Sequence, residues 1–258
     1  WPLREDKLHA LNILVDEQLQ KGHTVSSISP WNSPIFVIKK SNGKWKLLQD
    51  LRKINEVLES VGALQPGMPS PNMIPQDWKI VILDIQDCFF SIPLHPKDSP
   101  RFAFSVPSVN AAEPARRFQW TVLLQGMKNL PSICQEFVST VLSPVSKQHP
   151  SALIYHYMDD ILLAAKINEK LGDVVKDTQA ALAGEGLIIA PEKVQTTSPW
   201  KYLGQKITER YKIQSQGVKL PNKIQTLHDL QSLLGTINWV RPALGFTTDE
   251  LHPLFSLL

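Results

Sequence analysis

An α+β fold is the architecture this sequence predicts, and two patterns predict it. Short runs of β-branched and aromatic residues come in pairs about turn residues: 35–38 and 45–51 flank Ser41-Asn42-Gly43, and 152–157 and 161–164 flank Met158-Asp159-Asp160. Asn-Gly is a strong hairpin signal, and hairpins pair their strands antiparallel. Between these pairs run segments whose apolar residues return every three or four positions, the spacing of amphipathic helices.

Taken in order, residues 8–21 form the first helix. Leu8, Leu11, Val15 and Leu19 make one stripe, with Leu14 beside it, and Gly22 ends it. Ser29-Pro30-Trp31-Asn32-Ser33-Pro34 is a proline-punctuated turn ahead of the first hairpin. Residues 61–76, with Pro66, Pro69, Pro71 and Pro75, read as loop. Lys79-Ile80-Val81-Ile82-Leu83 is a run of strand length that ends at Asp84, and Asp87 follows in a short turn before Phe89 and Phe90. Further strands fall within 101–124. A helix follows over about 130–143, with Pro131 suited to its first turn and Ile133, Phe137, Val138, Val141 and Leu142 on its buried face. Then come the hairpin at 152–164, a helix over 170–182 closed by Gly184, another hairpin from Trp200-Lys201-Tyr202-Leu203-Gly204, and helical spacing from 224 to 239.

The 258 residues suffice for one large domain or two to three small lobes, and 43% hydrophobic content supports a true core. No apolar run approaches the ~18 residues of a membrane span, and no basic-then-apolar leader opens the chain, so neither a membrane nor secretion is expected. Two cysteines, Cys88 and Cys134, make no disulfide framework, and a reducing compartment is the default. A net charge of +3 does not by itself indicate nucleic acid. Its distribution says more: Lys39, Lys40, Lys44, Lys46, Arg52 and Lys53 fall within fifteen positions, and Arg116 and Arg117 are adjacent. Such clusters track phosphate backbones, and they also suit a solvated hairpin. The chain opens on Trp1 and closes on Leu254-Phe255-Ser256-Leu257-Leu258, which reads as a piece of a longer polypeptide.

The strongest chemical signal is Tyr157-Met158-Asp159-Asp160, set between apolar strands. Adjacent aspartates at a hairpin tip repel each other unless a cation joins them. Asp84, at the end of another apolar strand, offers a third carboxylate. Three carboxylates with few other ligands suit Mg²⁺, a hard cation that prefers oxygen.

Tyr157-Met158-Asp159-Asp160 resembles the catalytic box of retroviral reverse transcriptases. Other stretches resemble that family in the same order: Trp1-Pro2-Leu3, the 29–34 turn, Asp50-Leu51-Arg52, Leu83-Asp84-Ile85-Gln86-Asp87-Cys88-Phe89-Phe90, Gln125-Gly126-Met127-Lys128, Tyr202-Leu203-Gly204, and Leu233-Leu234-Gly235-Thr236-Ile237-Asn238-Trp239. The resemblance covers essentially the whole chain and is most similar to betaretroviruses and their endogenous relatives, through Ile237-Asn238-Trp239-Val240-Arg241-Pro242 and residues 251–255.

The resemblance implies a right-hand polymerase: fingers at 1–59 and 92–129, palm (an antiparallel sheet flanked by helices) at 60–91 and 130–210, and a partial thumb at 211–258. It implies RNA- and DNA-directed DNA synthesis by a two-metal mechanism, with two Mg²⁺ ions, or Mn²⁺ in their place, at Asp84, Ile85, Asp159 and Asp160. The implied nucleotide contacts are Lys40, Lys46, Asp87, Cys88, Phe89, Gln125 and Met158. Those to primer and template are Tyr157, Tyr202, Leu203, Gly204, Gln231, Gly235 and Trp239. The implied partners are a primed RNA or DNA template, deoxynucleoside triphosphates, and a second polymerase or ribonuclease H-bearing subunit. The implied location is the cytoplasm or virion core. The chain departs from the family pattern at Lys46, usually arginine, at Leu124, usually proline, and at Leu130, usually small and polar. These departures leave open a second reading, a catalytically weak nucleic-acid-binding remnant of an endogenous retrovirus.

Overall fold

The chain opens with helix α1 (Glu5–Gln20), followed by strands β1 (Thr24–Ser26), β2 (Ile35–Lys39) and β3 (Trp45–Gln49) and a short helix α2 (Arg52–Val57). Strand β4 (Lys79–Asp84) leads through a 3₁₀ turn (Cys88–Ser91) to β5 (Ala103–Val106) and β6 (Arg116–Trp120). Helix α3 (Leu130–Gln148) precedes the hairpin of β7 (Leu153–Tyr157) and β8 (Asp160–Ala165). Helix α4 (Asn168–Gly184) and strands β9 (Trp200–Tyr202), β10 (Gln205–Ile207) and β11 (Ile213–Ser215) follow. This computed structural model describes residues 4–40, 43–62, 73–108, 114–208 and 213–215, and beyond them 224, 226, 229–234 and 236–237. Helices and antiparallel sheets share the chain, so the α+β expectation holds.

The sheet ordered β4-β8-β7 organises the rest. Central β8 runs antiparallel to both neighbours, in register from Lys79↔Ala165 to Asp84↔Asp160 on one side and from Leu153↔Ala164 to Tyr157↔Asp160 on the other. Alternate residues of a strand face opposite sides. Val81, Leu83, Ile161 and Leu163 pack into the main core with Val138 and Leu142 of α3 and Leu171, Val174 and Leu182 of α4. Ile80, Ile82, Leu162 and Ala164 face the other way, onto Trp200, Tyr202 and Ile207. Burial on both faces explains why 161–165 is apolar without alternation. Each fully buried Leu or Ile in this sandwich stabilises it by roughly 1.5–3 kcal/mol.

The other sheets are β1-β6-β5, β11-β10-β9 and the hairpin β2-β3. The hairpin pairs Ile35↔Gln49 through Lys39↔Trp45, and its turn is closed by hydrogen bonds from Gly43 N to Lys40 O and from Lys40 N to Lys44 O. Gly43 takes φ +81°, the conformation for which glycine is suited.

Several elements differ from expectation. Helix α3 runs on to Gln148 through Pro144, where the sequence reading stops at 143. Pro144 lies on the exposed face, while Val145 beside it is 4% exposed in the core, and that burial offsets the hydrogen bond proline cannot donate. Helix α4 keeps Gly184 as its last residue and is not closed by it. Gly186, at φ +73°, is the terminator, with hydrogen bonds from Leu187 N to Leu182 O and from Gly186 N to Ala183 O, a Schellman ending. Helix α2 is absent from the sequence reading because six residues carry no readable stripe. It is held by Asn55, which donates to Gly126 O and accepts from Lys128 N. Of the expected 61–76 loop, 63–72 lies outside the described residues. Within 224–239 the described residues 229–234 and 236–237 are helical. Thr226 and Asp229 exchange side-chain-to-backbone hydrogen bonds ahead of them, a reciprocal cap.

Candidate active site

Strands β4 and β8 end at the same edge of the sheet, and that brings the carboxylates together. Asp84 is the cross-strand partner of Asp160, and the backbone N–H of Ile85 donates to the carbonyl of Asp159 at 2.8 Å. Backbone pairing thus joins residues 74 and 76 positions apart in sequence, without any side chain taking part. Desolvation pushes the Asp159 carboxyl up, with the Asp84 charge adding to it. Desolvation, Asp159 and Asp84 together raise Asp160 to about 6. Like charges crowd here in partial burial, which is an arrangement that a cation relieves.

One cation is already present. Lys193, in the 3₁₀ turn Pro191–Lys193, places Nζ 2.7 Å from Oδ1 of Asp84. It is carried there by backbone pairing: Gln86 N donates to Ile188 O, Ala190 N donates to Asp84 O, and Ile85 bridges Ile189. The ion pair raises the lysine above its ordinary value. Sequence reasoning did not single out Lys193. It lies 109 positions from its partner, and nothing local marks it.

The donor chemistry fits divalent metal ions: hard carboxylate oxygens, partly solvated, with mutual repulsion to relieve. Among the described residues, no three His, Cys, Asp or Glu side chains already stand as a ligand cluster. One oxygen of Asp84 is committed to Lys193.

The turn between β7 and β8 is strained. Met158 has φ +56°, uncommon for a residue with a side chain. Its amide donates to Oε1 of Gln135 on α3 at 2.7 Å. Gln135 also escaped sequence reading, although a polar residue between Cys134 and Val138 on a buried helix face is a signal that was available.

A cavity of about 550 Å³ lies between the β2-β3 hairpin, α1 and the 3₁₀ turn after β4, and its lining includes Lys40, Lys46, Asp87, Phe89, Phe90 and Gln125. Five of the seven expected nucleotide contacts therefore line one cavity. Cys88 does not join them. It is 3% exposed and packs in the core that also holds Cys134. Met158 is outside this lining, at the sheet edge. An aromatic stack sets the cavity floor: Phe89 meets Phe90 at 4.6 Å, and Phe90 stacks on Trp120 at 5.7 Å and on His23 at 4.9 Å. Burial and the neighbouring Lys40 lower Lys46, while Asp87 opposes them. The departures Leu124 and Leu130 are buried core residues at 3% and 7% exposure.

The expected primer and template residues divide. Tyr157 is half-buried at the end of β7. Tyr202 is 1% exposed beneath the β4-β8-β7 sheet, where burial and the Asp160 charge raise its hydroxyl. Leu203 and Gly204, at φ +47° and +71°, form the tight turn between β9 and β10. Two successive positive φ angles match the twist a two-residue hairpin needs. Gln231 is exposed on the helical segment, and Gly235 and Trp239 lie outside the described residues.

This chain belongs to the reverse transcriptase (RNA-dependent DNA polymerase) family, whose model matches residues 38–207, a span that holds the carboxylates, Lys193 and most of the cavity lining. A reverse transcriptase thumb domain model matches residues 215–258. The family works with divalent metal ions, a nucleic-acid template and primer, and nucleotide substrates. Its relatives are betaretroviral. The chain is 52% identical over 258 residues to the Gag-Pro-Pol polyprotein of Simian retrovirus SRV-2 and to that of Mason-Pfizer monkey virus. It is 51% identical over 259 residues to that of mouse mammary tumor virus (strain BR6). Each comparison takes in 100% of this chain and 15% of the relative, so the chain spans about 15% of the length of the curated relatives it matches.

Proposed function

We propose that this chain is the polymerase portion of a retroviral pol protein and adds deoxynucleotides to a primer 3′-hydroxyl on an RNA or DNA template. The observation that carries the reading is the register of β4 against β8, which sets Asp84 opposite Asp160 and ties Ile85 to Asp159. Asp84, Asp159 and Asp160, with Ile85 beside them, would hold two Mg²⁺ ions, and Mn²⁺ in their stead. Bound there, such ions supply a lowered pKa for the attacking hydroxyl and charge neutralisation at the transferring phosphate.

The chain's own residues do the rest by positioning and charge, as phosphoryl transfer requires. Lys193 balances the carboxylate charge until metal ions take its place. Lys40 and Lys46 grip the triphosphate, with lysine giving a point charge where arginine would give a planar fork. Phe89, braced by Phe90 and Trp120, lies under the sugar and leaves no room for a 2′-hydroxyl. Gln125 and Met158 touch the nucleotide. Cys88 acts through the backbone of its turn, since its side chain is buried, and Asp87 faces the nucleotide from the cavity lining. Tyr157, Leu203, Gly204, Gln231, Gly235 and Trp239 line the path of primer and template, and buried Tyr202 supports that path from beneath.

In this reading 1–59 and 92–129 are fingers, 60–91 and 130–210 palm, and 211–258 a partial thumb, working in the cytoplasm or virion core, with a second polymerase or ribonuclease H-bearing subunit as a candidate partner. Single-nucleotide extension of a primed RNA template with Mg²⁺ tests it. Incorporation that disappears in Asp159→Asn supports the polymerase. Duplex binding without incorporation by the unaltered chain would show the nucleic-acid-binding remnant instead.

A further inference from the structure

The hydrogen bonds behind the Met158-Asp159 turn lead back to His156, a residue that neither the carboxylates nor the cavity accounts for. Gln135 Oε1 accepts from the Met158 amide at 2.7 Å, which commits the orientation of the Gln135 side-chain amide. Its nitrogen is left facing β7, 3.1 Å from Nε2 of His156 and 3.4 Å from the His156 carbonyl. Where two nitrogens meet at hydrogen-bond distance, one of them has to accept. An amide nitrogen has no lone pair to offer, so the imidazole accepts at Nε2 and its proton sits on Nδ1.

The opposite tautomer has its own partner. An Nε2–H would donate to the Gln135 backbone carbonyl 3.3 Å away. The Gln135 side-chain nitrogen would then face an N–H group. Turning the amide over relieves that clash, but it presents NH₂ to the Met158 amide, and the left-handed turn loses its acceptor. Burial disfavours the charged ring, and no charged group contributes to its shift. Across the ladder its partner is Ile161, which is apolar.

We propose that His156 is a positioning residue: its ring, accepting at Nε2, fixes the Gln135 amide that holds Met158, and through Met158 the adjacent Asp159 and Asp160. The consequence for catalysis rests on the polymerase reading, whereas the hydrogen-bond chain does not.

The test uses the full 258-residue chain. Nitrogen NMR of the unaltered protein reads the tautomer. The Nδ1–H form is expected, and the Nε2–H form overturns the proposal, even where a variant fails to fold. His156→Leu keeps a side chain of similar bulk but removes the acceptor, and His156→Gln returns an sp² oxygen near the position of Nε2. Met158 amide exchange is expected to quicken about fivefold in His156→Leu, the worth of one neutral hydrogen bond, and to recover in His156→Gln. Unchanged exchange in His156→Leu, or no recovery in His156→Gln, overturns it. In primer extension, His156→Leu is expected to lower kcat about fivefold with KM for the nucleotide held, and His156→Gln to restore kcat. An unaltered chain that extends no primer would count against the polymerase reading, while the tautomer and exchange results still decide the role of His156.

Discussion

The β4-β8-β7 sheet and the β2-β3 hairpin both carry charged groups to the candidate site, and they do so in opposite ways. Every residue of β8 from Ile161 to Ala165 is at most 1% exposed, so the aspartates at its end are held by a support that cannot shift without opening the core. In β2 only Val37 is buried, and Lys40 is exposed at the hairpin's end. In the proposed reaction the sheet would hold its charges to within fractions of an ångström. The hairpin offers charges on long flexible stems, suited to gripping a mobile anion. Substitutions in the sheet should therefore act on kcat and on folding, and those in the hairpin on KM alone.

The largest expected effect is at the sheet edge. Asp159→Asn should reduce incorporation by about 10³-fold or more, on the scale of lost electrostatic stabilisation at a reaction centre, with an unchanged far-ultraviolet spectrum. Deeper in the same sheet, Leu163→Ala should lower unfolding free energy by about 2–5 kcal/mol in a urea titration, because the space it leaves cannot collapse. A loss under 1 kcal/mol would mean that the support is less rigid than described.

Cavity residues should behave differently. Phe89→Val should raise ribonucleotide incorporation about tenfold or more relative to deoxynucleotide, since removing the ring opens room for the 2′-hydroxyl. Unchanged sugar discrimination would remove Phe89 from that role. Lys46→Ala should raise KM for the triphosphate about tenfold, with kcat and melting temperature nearly unchanged. A fall in kcat with KM held would contradict the assignment of gripping to the hairpin.

The smallest effect sharpens the comparison in pH. Asp160 is raised to about 6, so as pH falls through that value the carboxylate takes up a proton and loses its hold on a cation. A cation held there opposes that protonation, so at saturating Mg²⁺ the incorporation rate should fall only below about 6, and at limiting Mg²⁺ closer to it. Folding has the opposite sign. A carboxyl raised in the folded state binds protons more readily there than when unfolded, so its ionisation costs stability above that range. Asp160→Asn should therefore stabilise the fold at neutral pH, by roughly 1–2 kcal/mol once partial exposure is discounted.

The hairpins at 35–51 and 152–164 were legible because turn chemistry and apolar runs are local. The carboxylate pair at 159 and 160 was legible for the same reason, and the family resemblance joined Asp84 to it. What escaped is non-local. Lys193 reaches Asp84 only because backbone pairing lays 188–190 along 84–86. Gln135 and His156 meet because α3 packs on β7. Cys88 lies within a motif whose side chains point different ways, and no spacing rule says which of its residues turn inward. Pro144 stays helical because burial of Val145 outweighs a local breaker.

The central claim is that the carboxylates of residues 84, 159 and 160 serve one cation site. Anomalous scattering from crystals grown with Mn²⁺, a primed template and a nucleotide tests it most directly. The expected result is Mn²⁺ density in contact with all three carboxylates, with Lys193 released from Asp84. Density elsewhere, or an intact Lys193–Asp84 pair with the triphosphate bound, would contradict the account.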